Sequence, residues 1–518
     1  MEMTIGGQGV SGGDYFDVVN PATGDVYAQA PVCTAAQLDR AMDAASKAQL
    51  EWRKDEDFRR ERLQELSAAV MDAAPELAEI LANENGKTLD LGGVEAMSGA
   101  AWLDYYANVE RPREVIRDDD GAHTEIVRRP LGVVAGITPW NVPVAMAFFK
   151  LAPALRAGNT MVLKPSPFTP ISTLRIGEIA SEILPPGVFN VVTGGDELGA
   201  WMTEHPVPRK ISFTGSVATG KHVYRSAAAD LKRVTLELGG NDAAIVLDDA
   251  DPAEIAEALF WGAFWNNGQG CILIKRLYVP RSIYDGVVEA LSEIAKQIVV
   301  GDPLGEETQL GALANRPQFE RVSGLVEDAL KSGAKATAGG RPVGGPGVFY
   351  EPTILAGAVD GMRIVDEEQF GPALPVIPYD DVSDVIARVN AGQYGLGGSI
   401  WSPDIDRATA LASQLDVGTA WVNSHAVLAT NAPFGGVKWS GIGVEHGPWG
   451  STTCRASRCS IATKARPHRV RSESPTWDEH VQQRHLCERK MQCHCSHLLR
   501  KPRLLSVSSS RMSPSTPN

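Results

Sequence analysis

The chain has 518 residues, 43% hydrophobic and 22% charged, with 51 Gly, 33 Pro and 7 Cys; such values exclude fibrous, collagen-like, disulfide-stapled and wholly disordered chains and predict two or three domains with sizeable cores. The formal net charge of −14 conceals a break, because residues 1–450 hold 36 Lys+Arg against 59 Asp+Glu and residues 451–518 hold 13 against 4. The body, net −23, lacks the basic surface that nucleic-acid binding needs, whereas the tail is net +9, carries 5 of the 7 cysteines and has none of the 51 glycines.

The N-terminus, MEMTIGGQGVSGGDYFD, has no basic segment followed by an apolar one, so no secretory signal is expected. Apolar residues at helical spacing predict surface helices over Ala35–Arg53 and Phe58–Asn83, the latter through Leu63, Leu66, Val70, Leu77 and Leu81. Between Val115 and Arg129, Asp-Gly punctuates two extended runs and predicts a hairpin that interrupts the first domain. From Leu131 on, β-rich runs (VVAGI, TMVLK, VFNVVTG, RKISFTG, KRVTLELGG, AAIVLDD) alternate with helical stretches, the pattern of βαβ units around a parallel sheet buried on both faces. The longest apolar stretch, Val133 to Leu155, is broken by Pro139, Pro143, Lys150 and Pro153, which argues against a membrane span. A second α/β block runs from Asn241 to Trp421, with helices expected over Pro252–Trp265 and Ile283–Val299 and strands at KRLYVP and ALPVIPY. Past Gly450 periodicity ends, so residues 451–518 read as an unfolded tail. Cys33 and Cys271 are too few for a disulfide framework in the body, and the expectation is a soluble chain in a reducing compartment, the cytoplasm.

Residues able to carry chemistry stand at strand ends. Cys271, in FWNNGQGCILIKR, follows a glycine loop that gives a thiol access, and a nucleophilic thiol needs a lowered pKa or a proton acceptor. Glu237 ends an apolar strand in VTLELGGND, where desolvation raises a carboxyl toward the range of a general base. Asn141, in ITPWNVP, offers an amide donor for an oxyanion. The turns VVTGGDELG, with Gly195 and Gly199, and SFTGSVATG, with Gly215, Ser216 and Gly220, suit a pyrophosphate at a helix start. Lys164, ending MVLK, could reach a ribose or phosphate. Each also has a plainer reading: Cys271 as a small core residue, Glu237 as a paired carboxylate, Asn141 and the glycines as turn formers, Lys164 as a solvated lysine.

The marks TPWN, MVLKPSP, SFTGS, LELGG, F-x-N-x-G-Q-x-C from Phe264 to Cys271, EEQFGP and PFGGVKWSGIG stand in the order of the NAD(P)-dependent aldehyde dehydrogenase family, which the chain resembles over about residues 14–447. The resemblance implies an α/β fold with a Rossmann-like parallel-sheet cofactor domain (1–114 and 132–237) and an α/β catalytic domain (238–421). A small oligomerisation hairpin and bridging segments (115–131 and 422–450) would support a homodimer or homotetramer. Cys271 would attack an aldehyde, the Asn141 amide and the Cys271 N–H would hold the oxyanion, and Glu237 would activate the water that hydrolyses the thioester. NAD, with NADP possible, would lie against Trp140, Lys164, Gly195, Gly199, Gly215, Ser216, Glu368 and Phe370. A hydrophobic aldehyde would lie against Val142, Met146, Phe149, Trp265 and Phe434, and no metal is implied.

Three features depart from the family pattern. Pro167 stands where NAD-preferring relatives often carry a glutamate, which leaves NAD and NADP both open, and Leu273 stands where a small residue is usual, narrowing the floor beneath the thiol. After SGIGVEHGPWG the resemblance stops; a shifted reading frame would produce this change in composition, and a functional appendage is the alternative. The alternative function is therefore an inactive or misassembling relative that binds cofactor without turnover. In the tail, Cys487, Cys493, Cys495, His485, His494 and His497 offer soft ligands, but C-x-C-x-H matches no standard zinc pair.

Overall fold

The computed structural model describes residues 1–110 and 114–463. In its first sheet the strands Gly441–Ile442, Arg233–Glu237, Lys210–Thr214, Val133–Ile137, Thr160–Lys164, Phe189–Val191, Met3–Ile5 and Gln8–Val10 lie side by side in that order. The five from Arg233–Glu237 to Phe189–Val191 are parallel. Every residue of the three middle strands is buried, as the unbroken apolar runs predict. The chain steps from Val133–Ile137 outward through Thr160–Lys164 and Phe189–Val191, then crosses back to Lys210–Thr214 on the other side. That reversal opens a crevice at the C-terminal ends of Val133–Ile137 and Lys210–Thr214, the position where open α/β sheets bind ligands.

The second sheet runs Lys335–Ala338, Thr353–Ala356, Ala373–Tyr379, Ile274–Pro280, Asp242–Val246, Gly397–Trp401, Thr419–Val422. It is parallel apart from its first edge strand, and a separate apolar core covers each face. Glu237 closes the last long strand of the first sheet and Asp242 opens a central strand of the second, so the LELGGND run is the passage between them. The expected 422–450 bridging segment contributes the edge strand Gly441–Ile442 to the first sheet, antiparallel to Leu236 and Glu237.

Helix boundaries differ where backbone chemistry overrides periodicity. The run predicted as Phe58–Asn83 is two helices, Glu56–Asp72 and Ala74–Asn85, because Pro75 lies in the first turn of the second, where its missing N–H is tolerated. A further helix, Leu89–Asn108, has no clear apolar stripe in sequence because glycines occupy contact positions. At Gly92 and Gly99 a Cβ would press into Ala78 and Phe148, so the small residues set how closely the helix packs.

The described residues divide into two compact units, Met1–Glu114 with Ile126–Ser460, and Val115–Glu125 with residues 461–463. In the second, the expected hairpin turn forms at Asp119, whose Oδ1 accepts from Gly121 N (2.8 Å) and Ala122 N (2.9 Å). Residues 451–463, expected in the unfolded tail, instead complete the helix Gly447–Thr453 and form the strand Arg455–Thr463. Main-chain groups anchor this stretch: Asn159 Nδ2 donates to Cys454 O (2.9 Å) and Arg233 Nη1 to Arg455 O (3.2 Å). Backbone carbonyls accept such bonds whatever the side chains are, which is why composition gives no sign of them. The candidate zinc ligands of the tail lie outside the described residues. Among the described residues no helix is long and apolar enough to cross a membrane.

Candidate active site

The loop ahead of Cys271 is built from left-handed backbone. Asn266, Asn267 and Gly268 have φ of 49°, 57° and 70°, a run that costs free energy unless side chains hold it. They do: Asn267 Nδ2 donates to Gly311 O (2.7 Å), Asn266 Nδ2 to Asn141 O (3.0 Å), and Gln269 Oε1 accepts from Ala314 N (2.9 Å). Gly268 is required by packing as well, since a Cβ there would collide with the Gly371 carbonyl. The loop delivers Cys271, half-buried and with a free thiol, to the junction of two cavities.

One cavity, of about 540 Å³, is lined by Val142, Met146, Phe149, Trp265 and Phe434, all five expected pocket residues, with Trp102, Trp261, Trp401, Leu273 and His425 beside them. Its charged lining residues are Glu95, Glu237 and Glu445, with no lysine or arginine among them. The other cavity, of about 730 Å³, is lined by Trp140, Gly215, Ser216, Glu368 and Phe370, with Lys221, His222, Arg225 and Arg321 giving it a basic character. Cys271, Asn141, Val142, Met146 and Thr214 line both. Lys164, Gly195 and Gly199 line neither: Lys164 is buried and donates to Pro165 O (3.2 Å), with burial lowering its pKa to about 8, and Gly195 precedes the separate helix Asp196–Glu204.

Burial, with Glu368, Asp242 and Glu237 adding to it, pushes the Cys271 thiol up to about 12, while Lys275 acts against them. The lowered pKa expected of a nucleophile is therefore absent from this state, and the thiol needs a proton acceptor. Glu237 is 4% exposed and neither of its carboxyl oxygens has a hydrogen-bond partner. Burial first and Glu445 second push it well above the carboxylate range, against Lys150 and Lys210. Gly435, lacking a side chain, leaves room beside Glu237 Oε1. Asn141 Nδ2 donates one hydrogen to Gln269 O (2.9 Å), and its second N–H remains for another acceptor.

Several residues that hold this geometry give little sign of it in the sequence. Lys87 Nζ donates to Asn141 O (3.0 Å) and pairs with buried Glu95, whose Oε1 accepts from Val144 N (2.8 Å) and Ala145 N (3.1 Å). Glu95 thus caps the helix Pro143–Arg156, which lacks a cap from its own N-cap side chain. Lys150 Nζ bonds Thr214 Oγ1 (2.7 Å) and Glu445 Oε1 (3.0 Å). In the second cavity Ser216 caps the helix Val217–Ala229 by accepting from Thr219 N (3.1 Å), and the Trp140 and Phe370 rings meet edge to face at 5.4 Å. The signal for Lys150 and Lys275 is a lysine set in a largely apolar run, as in VAMAFFKLAPALR and ILIKRLYVP.

The aldehyde dehydrogenase family matches residues 9–458. The NAD+ complex of aldehyde dehydrogenase from Bacillus cereus is 34% identical and superposes with a TM-score of 0.87, covering 89% of this chain and 96% of that one. Lactaldehyde dehydrogenase from Escherichia coli is 36% identical with a TM-score of 0.86, covering 89% and 98%. An NADP dependent enzyme from E. coli is 34% identical with a TM-score of 0.87, covering 89% and 98%.

Proposed function

The chain belongs to the aldehyde dehydrogenase family, and we propose that it oxidises a hydrophobic aldehyde to the carboxylic acid through a thioester on Cys271. The observation that carries this reading is the position of Cys271, with Asn141, where a cavity of apolar and aromatic lining meets one of basic lining. The second cavity suits a dinucleotide. A capped helix start at Ser216 and the cations Lys221, His222 and Arg225 match phosphates, and Trp140 and Phe370 offer apolar faces. Bound there, NAD(P)+ supplies the hydride acceptor.

The remaining chemistry falls to the chain's own groups. Glu237 takes up the Cys271 proton, directly or through a water, since its raised pKa makes the transfer less uphill than to an ordinary carboxylate. The thiolate adds to the aldehyde carbon, and the free Asn141 N–H with the Cys271 backbone N–H holds the oxyanion of the thiohemiacetal. Loss of hydride leaves the thioester. Glu237, having released the thiol proton to solvent, then withdraws a proton from water as it attacks the acyl carbon, and passes that proton to the departing Cys271 thiolate as the acid leaves. The aromatic walls and the absence of a lysine or arginine in the first cavity favour an aliphatic or aromatic aldehyde over one bearing a carboxylate. Reduced-cofactor formation by the full chain, with a panel of aldehydes and both NAD and NADP, tests the reading. Turnover of hydrophobic aldehydes is expected, and none in any combination from folded protein would defeat it.

A second reading, a relative that folds without turnover or assembles wrongly, is favoured by one observation: Arg455, opening the last strand, buries Nε and Nη2 without partners. Groups left so lose hydration without recompense. Comparing the full chain with its Arg455→Met variant separates the readings. Turnover by the full chain as a homodimer or homotetramer, unchanged by the substitution, supports the enzyme; turnover or assembly gained only on substitution supports the second reading.

A further inference from the structure

The fourth residue after the nucleophile brings a buried cation back beneath its loop. Lys275 lies in the strand Ile274–Pro280, all of whose residues are buried, and is itself 1% exposed. Its Nζ donates to Gly268 O (2.8 Å) and Gly270 O (2.9 Å), the carbonyls either side of Gln269 in the GQG turn that precedes Cys271. Its backbone carbonyl accepts from Gln369 Nε2 (2.8 Å), and Nζ stands 5.5 Å from the centre of the Phe370 ring. This one residue therefore joins the nucleophile loop, through its ammonium, to the Glu368–Phe370 segment that lines the second cavity, chiefly through its own backbone carbonyl. An ammonium is costly in such a place, and an apolar residue would suit an apolar strand. Two carbonyl bonds to a left-handed loop are what the charge does there.

The groups facing this pair come from several elements. Asp242 opens the neighbouring strand, Glu368 follows the helix Arg363–Asp366, and Glu237 ends a strand of the first sheet. All three oppose ionisation of Cys271, and Lys275 favours it. Arg276 turns away to Asn241 O (2.9 Å), Arg321 donates to Glu368 O (2.8 Å), and His425 Nδ1 bonds Ser399 Oγ (2.8 Å). We propose that Lys275 is a positioning residue for the thiolate: it fixes the Gly268 and Gly270 carbonyls, and with them the thiol and N–H of Cys271, while its charge offsets the carboxylates around the thiol. This rests on the reading of Cys271 as nucleophile.

The experiment is the rate of iodoacetamide alkylation at Cys271, followed by peptide mass spectrometry against pH, for the full chain and its Lys275→Met and Lys275→Arg variants. Burial lowers the Lys275 pKa to about 8, so below that pH loss of its charge is expected to slow alkylation about tenfold, the factor by which the thiolate fraction falls when the thiol becomes a tenfold weaker acid, with Lys275→Arg restoring part of the rate. A folded Lys275→Met protein with the unaltered profile overturns the proposal. Should that variant not fold, Lys275→Gln, which keeps a donor without the charge, is read the same way, and an unaltered profile again overturns it. Failure of the underlying reading is distinguishable, because it shows as aldehyde turnover retained by Cys271→Ser whatever the alkylation profile.

Discussion

Two buried lysines act on the thiol or its base from different sides, and they treat their carboxylates differently. Lys150 bonds Glu445 directly, Ser212 Oγ donates to the same oxygen (3.0 Å), and although burial works against the charge these bonds hold Glu445 below the usual carboxylate range. Lys275 gives its hydrogen bonds to carbonyls, and near it burial pushes Asp242 and Glu368 up to about 7. Glu237 behaves like the second pair: Lys150 and Lys210 pull on it, but it has no bonded partner and its carboxyl stays high. A cation in direct contact thus keeps a buried carboxylate ionised far better than one that makes no bond to it, through its charge first and its hydrogen bond second. One side holds a fixed ion pair; the other keeps carboxyls able to exchange protons near neutral pH.

The largest test of this contrast removes its object. Cys271→Ala should lower turnover by about 10⁴-fold or more, measured as reduced cofactor, because neither side then has a thiol to serve. Next is Glu237→Gln, which should cut kcat by about 10²- to 10⁴-fold, the range for a lost general base. The pH dependence follows with its sign. A raised carboxyl is protonated below its pKa and a base above it, so kcat of the unaltered enzyme should climb with pH at values above the ordinary carboxylate range, and Glu237→Gln should flatten that limb. Lys150→Met sharpens the comparison. It removes a cation that lowers Glu237, so the limb should move to higher pH, and kcat on its rising part should fall several-fold, up to about tenfold. An effect of similar size, on KM instead of kcat, is expected on the apolar wall: Phe434→Ala should raise KM for a hydrophobic aldehyde about tenfold, roughly 1.5 kcal/mol of lost burial, with kcat little changed.

How much can be read in sequence follows the same physics. Short apolar runs ending in polar residues reveal the parallel sheets, and the glycine turn before Cys271 and the strand end at Glu237 mark the centre where the two cavities meet. Trp140, Ser216, Glu368 and Phe370, inferred from the family pattern, share one cavity. A lysine at a strand end looks solvated, and only tertiary packing shows Lys164 buried and outside the lining of both cavities. The thiol's pKa misleads because the glycines suggest access, whereas burial raises it most, followed by carboxylates from residues 368, 242 and 237. Glu95 and Glu445 are illegible for the same reason, since their partners lie 49 and 295 residues away.

The central claim, that Glu237 serves the thiol formed by the GQG loop and then the thioester on it, is tested most directly by rapid-mixing of Glu237→Gln with saturating aldehyde and NAD(P)+ at pH above 8. The account predicts at most one reduced cofactor per Cys271 in a burst, acyl mass trapped on Cys271, and then near-arrest as hydrolysis fails. Steady turnover at the unaltered rate, with no acyl adduct on Cys271, would contradict it.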